Sequence, residues 1–214
     1  MSLYNPPLFR QSDPDALLAA LSAQPFATLV SNGPQAPLVS HLPLMAERGA
    51  DGAVRLIGHL ARANRHWLEM DRERPSTAIF HGPDAYVSPG WYPSKREHGR
   101  VVPTWNYSVV HAVGMVQIHD DADWLRAAVS RLTARHEAGR AAPWALSDAP
   151  EPFIAAQLKG IVGVELVVST LEGKEKLSQN RSPADRSGVI DGLAGADGAG
   201  SVAVRAAMLR REPG

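Results

Sequence analysis

The most informative stretch of the chain is residues 81–111, HGPDAYVSPGWYPSKREHGRVVPTWNYSVVH. It holds two of the five tryptophans, three of the four tyrosines and three of the eight histidines. Aromatic residues are unfavourable in a solvated loop, because each ring exposes a large apolar surface to water. A planar polar ligand needs apolar faces to pack on and a few convergent hydrogen-bonding groups. The stretch therefore predicts either a ligand-binding surface or a bent hairpin whose aromatic rings fill a core.

Valine-rich and short β-prone segments surround this stretch. Residues 105–119 are apolar on both alternating faces, which is typical of a strand covered on both sides, as in a barrel. Residues 77–80 and 85–88 are predicted to be two strands joined by a Gly-Pro-Asp turn, and residues 47–52 to be a loop. Other strands are predicted at 26–30, 38–44, 54–60 and 161–168, with residues 171–181 as a polar segment beyond the last of them.

Helices are predicted between and after these strands. Asp13 and Asn64 are suited to cap two of them, and the acidic residues at 120–123 favour the positive end of a third. We therefore expect a mainly β fold with peripheral helices, of the α+β class, in one barrel-like domain over residues 1–193. Residues 194–214 are expected to be a Gly/Ala-rich tail with a short helix. The remaining helices are predicted at 151–158, 183–193 and 202–211.

The composition excludes several functions. The 22 basic side chains are balanced by 22 acidic ones, so the totals give no sign of the basic surface that nucleic-acid binding requires. The absence of cysteine excludes disulfides, thiol catalysis and cysteine-ligated metals. Histidines form neither HxH nor HExxH, so no metal site is predicted. With no apolar segment of membrane-spanning length and no signal peptide, the chain is predicted to be cytoplasmic.

Three stretches place polar groups where a barrel wall is expected to be apolar. They are Ser40-His41, the segment 59–64 that leads into a helix, and the segment 174–181. Each has a plain alternative, since a histidine in a strand is usually a hydrogen-bonded core residue and surface lysines are usually solvated. Together with the aromatic stretch they suit a flat, phosphorylated, hydrogen-bonding ligand, because a helix start and an arginine fork both favour an anion.

These stretches resemble the PaiB-type family, which is described as FMN-binding negative transcriptional regulators. The resemblance runs in order from about residue 1 to residue 193, and VPTWNY (102–107) and SQNR (178–181) are its most specific motifs. One departure is Glu175, where an aromatic residue is expected between two lysines. The other motifs are YNPP (4–7), HLPL (41–44), GHLARAN (58–64), GPDAYVSP (82–89), WYP (91–93) and Val110-His111.

The resemblance implies a dimeric split β-barrel, like that of pyridoxamine-phosphate oxidases and flavin reductases, with FMN in a groove between two subunits. Arg62 and Lys176 are then candidates for the phosphate. Trp105 and Tyr107 are candidates to pack near the ring. The hydrogen-bonding candidates are Ser40, His41, Thr104 and Asn106, and the cofactor-binding set also includes His59, Asn64, Gln179 and Asn180.

The family description implies transcriptional repression. An alternative function is that of a flavin-dependent oxidoreductase passing electrons from NAD(P)H to a small acceptor, since the cofactor carries that chemistry and no catalytic triad would be visible. A third is a flavin-free relative that keeps the fold. Direct DNA binding is not expected, because basic and acidic residues alternate along nearly every segment.

Overall fold

The computed structural model describes residues 3–211, which form eight strands and seven α-helices. The strands are β1 (Arg10–Gln11), β2 (Phe26–Ser31), β3 (Leu38–Pro43), β4 (Met45–Arg48), β5 (Val54–Ala61), β6 (Ser76–Val87), β7 (Thr104–His119) and β8 (Ile161–Lys176). The helices are α1 (Pro14–Ala23), α2 (His66–Glu69), α3 (Ser94–His98), α4 (Ala122–Glu137), α5 (Glu151–Lys159), α6 (Pro183–Ala194) and α7 (Ala199–Arg210). Three short 3-10 helices complete the described elements.

The strands make one sheet in the order β3-β2-β6-β7-β8-β5-β4, with β1 paired to β8. The pairs β2–β3, β2–β6, β4–β5, β5–β8 and β1–β8 are all antiparallel. In β2 alternate residues are buried, as expected for strands with one face on a core. The prediction of a mainly β fold with peripheral helices is confirmed.

The chain divides into two compact units. Of the described residues, unit 1 contains 3–20, 81–110 and 172–211, and unit 2 contains 21–80 and 111–171. The long strands β6, β7 and β8 therefore each contribute residues to both units. The expected division into a domain at 1–193 and a tail at 194–214 stays a prediction.

The core of unit 1 is built largely from its helices. Its buried apolar cluster includes Tyr92 after β6, Leu177 after β8 and Val189 of α6. Helix α6 is capped by Ser182, whose hydroxyl accepts a hydrogen bond from the Asp185 N–H. Helix α7, in the segment expected to be a tail, supplies Val204, Ala207 and Met208 to the same cluster.

In unit 2 the helices α4 and α5 pack on the sheet through a second buried cluster, which includes Leu125, Ile154 and Leu158. Helix α4 begins as expected, because the Asp121 carboxylate accepts a hydrogen bond from the Trp124 N–H at 2.8 Å. The Trp124 ring covers Gly163 of β8. A Cβ at Gly163 would lie 2.2 Å from a ring carbon, so only glycine fits beneath this ring.

Three sequence predictions about the strands are wrong. Residues 45–48 form β4, where a loop was expected from residue 47, because they pair with β5 in a register from Met45–Ile57 to Arg48–Val54. Residues 76–87 form one strand, where two strands joined by a turn were expected. Gly82 lets β7 approach closely at this point, because a Cβ at Gly82 would lie only 2.9 Å from the Cβ of Ser108. Strand β8 continues to Lys176 through residues expected to be outside it, since their polar side chains find hydrogen-bond partners.

The packing of α7 predicts a large loss of stability when its buried face is cut back. Met208→Ala should lower the free energy of unfolding by about 2–5 kcal/mol, because it leaves a cavity among fully packed side chains. The neighbouring Leu209 is exposed, so Leu209→Ala should change the free energy of unfolding by less than about 0.5 kcal/mol. Denaturant titration of both variants measures this; equal losses would show that α7 does not pack as described.

Candidate functional site

The residues predicted to bind a cofactor fall in both units. Unit 2 contains five of them and unit 1 contains seven, and each group has its own hydrogen-bond network. Those in unit 2 are Ser40, His41, His59, Arg62 and Asn64. Those in unit 1 are Thr104, Trp105, Asn106, Tyr107, Lys176, Gln179 and Asn180.

In unit 2, Ser40 of β3 and Asn64 meet at the buried side chain of His66. The Ser40 hydroxyl lies 2.9 Å from Nδ1 of His66 and accepts a hydrogen bond from the Asn64 amide at 3.0 Å. The Asn64 side-chain oxygen in turn accepts from the backbone N–H of His66, at the start of α2. Asn64 thus links the turn after β5 to both Ser40 and α2, but the residue at the N-cap position of α2 is Arg65, so the prediction that Asn64 caps this helix is wrong by one residue.

The other ring nitrogen of His66 continues the network. Nε2 lies 2.8 Å from the Ser31 hydroxyl, which lies 2.7 Å from the hydroxyl of Ser76. His66 is only 3% exposed, and burial lowers its pKa, because the charged imidazolium loses solvation. We call Ser31, Ser40, Asn64, His66 and Ser76 the serine–histidine network. Of these, the sequence had indicated only Ser40 and Asn64.

Arg62 is held by protein groups on every nitrogen. Its Nε donates to the Lys159 carbonyl at 2.7 Å, Nη1 donates to the Asp120 carboxylate at 3.0 Å, and Nη2 bonds both Asp120 and the Ile161 carbonyl. The guanidinium lowers the pKa of Asp120 through these hydrogen bonds. Binding a phosphate at Arg62 would require it to release Asp120.

The two remaining candidates of unit 2 do not join the network among the described contacts. His41 is exposed on β3, 3.1 Å from the Thr28 hydroxyl, and its ring is stacked with that of Phe26 at a centroid distance of 6.4 Å. His59 lies on β5 opposite Gly163, and burial lowers its pKa.

In unit 1, Lys176 at the end of β8 binds the start of β7. Its Nζ donates to the Thr104 hydroxyl at 2.6 Å and to the Trp105 carbonyl at 2.5 Å. Burial lowers the pKa of Lys176, and the nearby charges of Arg181 and Lys174 lower it further. The structure thus brings together three residues that the sequence had predicted from two distant motifs.

The aromatic residues of the predicted site form an open surface. Trp105 is 53% exposed and Tyr86 is 47% exposed, and their rings meet edge to face at a centroid distance of 6.1 Å. The Lys174 ammonium lies 5.3 Å from the Tyr107 ring and 5.1 Å from the Tyr4 ring. The exposure of the Trp105 ring favours the binding-surface interpretation over core filling for this residue.

Asn106 lies on the opposite, buried side of β7. It is 1% exposed, and its amide donates to the Ser178 hydroxyl at 2.9 Å and contacts the Met208 sulfur at 3.5 Å. Ser178 has a φ of 63°, in the left-handed region that costs a non-glycine residue roughly 1–3 kcal/mol. Asn106 therefore positions the SQNR turn from within the core.

The other residues of the SQNR turn divide between internal and outward roles. The Gln179 side chain accepts from the Leu177 N–H at 2.7 Å and donates to the Glu175 carbonyl at 2.6 Å, which closes the turn. Asn180 is exposed. The Arg181 guanidinium, outside the predicted cofactor-binding set, lies over the Tyr92 ring at 4.7 Å.

Glu175, the departure from the family pattern, forms an ion pair with Arg211 just beyond α7. The same guanidinium donates to the Arg10 carbonyl at 3.0 Å. The C-terminal segment thus neutralises the acid that stands between the two lysines of β8.

The chemistry of these groups fits an FMN ligand. Hydroxyl, amide and ammonium donors are the partners that a phosphate and the polar edge of a flavin need, and Trp105 offers a ring face. Among residues 3–211 no group of three His, Asp or Glu side chains is arranged to hold a metal ion. No helix in this part of the chain is long and apolar enough to cross a membrane.

Comparison with known proteins agrees with this chemistry. A family model described as "Putative FMN-binding domain" matches residues 3–170. The Bacillus subtilis protein named "Protease synthase and sporulation protein PAI 2" is 30% identical over 191 residues, which is 89% of this chain and 89% of that protein. An uncharacterized protein of Emericella nidulans is 32% identical over 199 residues, 78% of this chain and 79% of its own length.

Solved structures confirm the predicted split-barrel fold. The flavocytochrome Anf3 from Azotobacter vinelandii matches with a TM-score of 0.56 at 15% identity, over 78% of this chain and 69% of that one. The FAD and heme binding protein from Mycobacterium smegmatis matches with a TM-score of 0.54 at 18% identity, over 78% of this chain and 73% of that one. At these identities the likeness shows the fold alone.

The buried histidine predicts a loss of stability in mild acid. Because the folded-state pKa of His66 lies below its ordinary value of 6.5, the folded protein binds fewer protons than the unfolded chain between those two values. Its contribution to the free energy of unfolding is therefore complete above about pH 6.5 and falls as the pH drops through that window.

Thermal unfolding between pH 7.5 and 5 measures this effect. His66→Gln should reduce the pH dependence without removing it, because burial also lowers the pKa of His59. His136→Gln, which alters an exposed residue of α4, should leave the pH dependence unchanged. An unaltered slope in His66→Gln would show that His66 does not carry the effect.

Proposed function

The chain belongs to the PaiB-type family of FMN-binding split-barrel proteins, and on that premise we propose that it is an FMN-binding negative regulator of gene expression that does not itself contact DNA. The regulatory part rests on the relative from Bacillus subtilis, which is named a protease synthase and sporulation protein. The proposal that the chain does not contact DNA rests on the contacts that its basic side chains make within the protein.

The engagement of the C-terminal basic residues is the observation that carries the proposal. Arg205 donates to the Ile190 carbonyl at 3.2 Å and Arg211 is paired with Glu175, so two of the arginines in and after α7 are bound inside unit 1. The exposed basic residues of α3 lie on a helix of only five residues, which is too short to serve as a recognition helix. DNA binding by counterion release needs many free cations on one surface.

When bound, FMN supplies redox chemistry, and the protein contributes binding, orientation and electrostatics. We infer that Lys176 and Thr104 face the polar part of the cofactor and that Trp105 packs on its ring. Ser40, ordered by Asn64 and His66, is a further hydrogen-bonding candidate. Asn106 and Gln179 position the turn after β8 and do not contact the cofactor, because their side-chain amides are hydrogen-bonded to other protein groups.

A flavin-dependent oxidoreductase is the second candidate function. The exposure of Trp105 and Tyr86 favours it, since a flavin packed there stays open to NAD(P)H and to a small acceptor. For either function we propose a cytoplasmic homodimer.

The two functions are separated by measuring transcription, DNA binding and NAD(P)H oxidation. In a strain lacking the gene, transcripts under its control should rise, and the wild-type chain should lower them again. The purified protein should not bind duplexes from the upstream regions of those genes selectively at about 50 or 200 mM salt, because its basic side chains are interleaved with acidic ones along the chain.

Selective binding tighter than about 10⁻⁷ M, with a steep loss on adding salt, would contradict indirect action and show direct repression. Unchanged transcripts together with FMN-dependent NAD(P)H oxidation would instead establish the oxidoreductase. Trp105→Ala should abolish whichever activity depends on the flavin, and Leu209→Ala, an exposed change on α7, should not.

We expect the chain to be a dimer in solution at micromolar concentration. The outer face of β2 and β3 exposes Phe26 and Val39, which an unpartnered sheet leaves in water. Size-exclusion chromatography with light scattering measures the mass, with Phe26→Ser as the perturbing variant. A monomeric wild-type chain would remove the dimer from the proposal.

A further inference from the structure

The N-terminal arm of unit 1, residues 3–9, is held against the end of β8 by two side-chain contacts. The Asn5 amide donates to the Gly173 carbonyl at 2.8 Å. The Lys174 ammonium donates to the Tyr4 carbonyl at 2.9 Å and lies 5.1 Å from the centre of the Tyr4 ring. Two neighbouring residues of the arm are therefore bound to two neighbouring residues of the strand.

Lys174 is the cation that the arm covers. It is only 6% exposed, and its ammonium contacts the Tyr4 ring of the arm and, at 5.3 Å, the Tyr107 ring of β7. A buried ammonium is unfavourable unless polar or aromatic groups replace the water around it. The arm supplies a carbonyl and one of the two rings that do so. Withdrawal of the arm would therefore expose the ammonium and leave it beside Tyr107.

The arm is joined at its C-terminal end to a well-anchored part of unit 1. Strand β1, which follows the arm, pairs with β8 through Arg10–Lys174 and Gln11–Gly173. Helix α1 then packs its buried Leu17 on Gly173, so closely that a Cβ added to this glycine would lie 2.2 Å from a Leu17 methyl carbon. The connection at Arg10 is thus fixed and can serve as the hinge about which the arm moves.

The arm itself is held weakly. Tyr4 is 83% exposed, and all three residues of the 3-10 helix Pro7–Phe9 are at least partly exposed. Besides the two contacts with β8, the Arg10 guanidinium reaches the Asn5 carbonyl at 3.4 Å. A segment that buries little apolar surface opens locally at a small cost in free energy. Because the Pro6-Pro7 pair restricts the backbone, the arm is expected to move as one piece.

We propose that residues 3–9 form a strap that opens about Arg10 and withholds Lys174 from anionic ligands while it is closed. The Tyr4 carbonyl takes one of the ammonium donors and the arm excludes solvent, so an anion can bind Lys174 only in the open state. Lys174 leaves the same face of β8 as Lys176, which we infer to face the polar part of FMN. For FMN as the ligand, the inference rests on the proposed function.

Acylation of the lysines measures the opening of the strap without any ligand. The reagent, N-hydroxysuccinimidyl acetate, forms an amide with each free amine that it reaches and releases N-hydroxysuccinimide and a proton. Mass spectrometry then gives a rate for every lysine of the chain, at positions 95, 159, 174 and 176. In the wild type, Lys174 should react more than about tenfold more slowly than the exposed Lys95 and Lys159.

Asn5→Ala removes one of the two contacts with β8 and should speed the acylation of Lys174. A hydrogen bond changes such an equilibrium by about two- to tenfold, so the rate should rise by that factor. Lys176 is bound by the start of β7 and not by the arm, and its rate should not change. Leu8→Ala is the matched control, because it shortens a side chain of the same arm and leaves both contacts in place.

A second variant separates opening of the strap from misfolding. Pro6→Gly keeps both contacts with β8 and increases the conformational freedom of the open arm, so it should speed the acylation of Lys174 by about two- to fivefold. Equal increases at Lys174 and Lys176 in both variants would show general loosening of unit 1 and would overturn the strap. A wild-type Lys174 that reacts as fast as Lys95, or a Lys174 rate that neither variant changes, would also overturn it.

Calorimetry with FMN measures whether the strap also controls the ligand. A ligand that binds only the open state gains affinity when that state becomes more populated, so Asn5→Ala should tighten FMN by about two- to tenfold. Riboflavin, which lacks the phosphate, should bind Asn5→Ala and the wild type equally. In a chain that carries Lys174→Gln, adding Asn5→Ala should leave the FMN affinity unchanged, because the cation that the strap covers is gone.

The remaining outcomes are decisive in other ways. Weaker FMN binding by Asn5→Ala would overturn exclusion and show that the strap closes over the bound cofactor instead. Unchanged FMN binding, together with faster acylation of Lys174, would show that the strap covers the cation without controlling the ligand, which contradicts the proposal. If no flavin binds the wild type or any variant, the proposed function fails, and the acylation rates alone decide whether the strap exists.

Discussion

The buried pair of Asn106 and Ser178 is the interaction on which the organisation of unit 1 depends. It joins the beginning of β7 to the turn after β8 and holds Ser178 in a left-handed conformation that the residue would not adopt alone. Lys176 lies just before this turn, at the end of β8, and Arg181 closes it through a hydrogen bond from its N–H to the Ser178 carbonyl. Because Met208 of α7 also contacts the Asn106 amide, the C-terminal helix supports the same point.

In unit 2 a different set of buried polar residues is also held by internal hydrogen bonds. A buried polar group is unfavourable unless it is hydrogen-bonded, and the serine–histidine network satisfies hydroxyls, an amide and an imidazole among themselves. Arg62 and Asp120 likewise satisfy each other. The polar residues from which the sequence predicts a ligand site thus also hold the strands together. Only some of their hydrogen-bonding groups remain available to a ligand.

The engagement of charged residues in contacts within the protein bears on its function. Two of the C-terminal arginines, Arg211 and Arg205, bind Glu175 and a backbone carbonyl, which weakens the case for a nucleic-acid surface. Glu175, where the resemblance predicts an aromatic residue, is accommodated because Arg211, just beyond α7, forms an ion pair with it.

The sequence by itself determined the mainly β fold, most helix starts and the flavin family. These depend on local periodicity, on capping residues such as Asp121 and Ser182, and on contiguous motifs. Only the tertiary structure decided that residues 45–48 form β4 and that β6 and β8 are longer than predicted. It also decided that Arg62 forms an ion pair with Asp120, and that His66 contacts both Ser31 and Ser40. Each of these depends on a hydrogen bond or strand pair between residues that lie apart along the chain, and local sequence patterns carry no record of such partners.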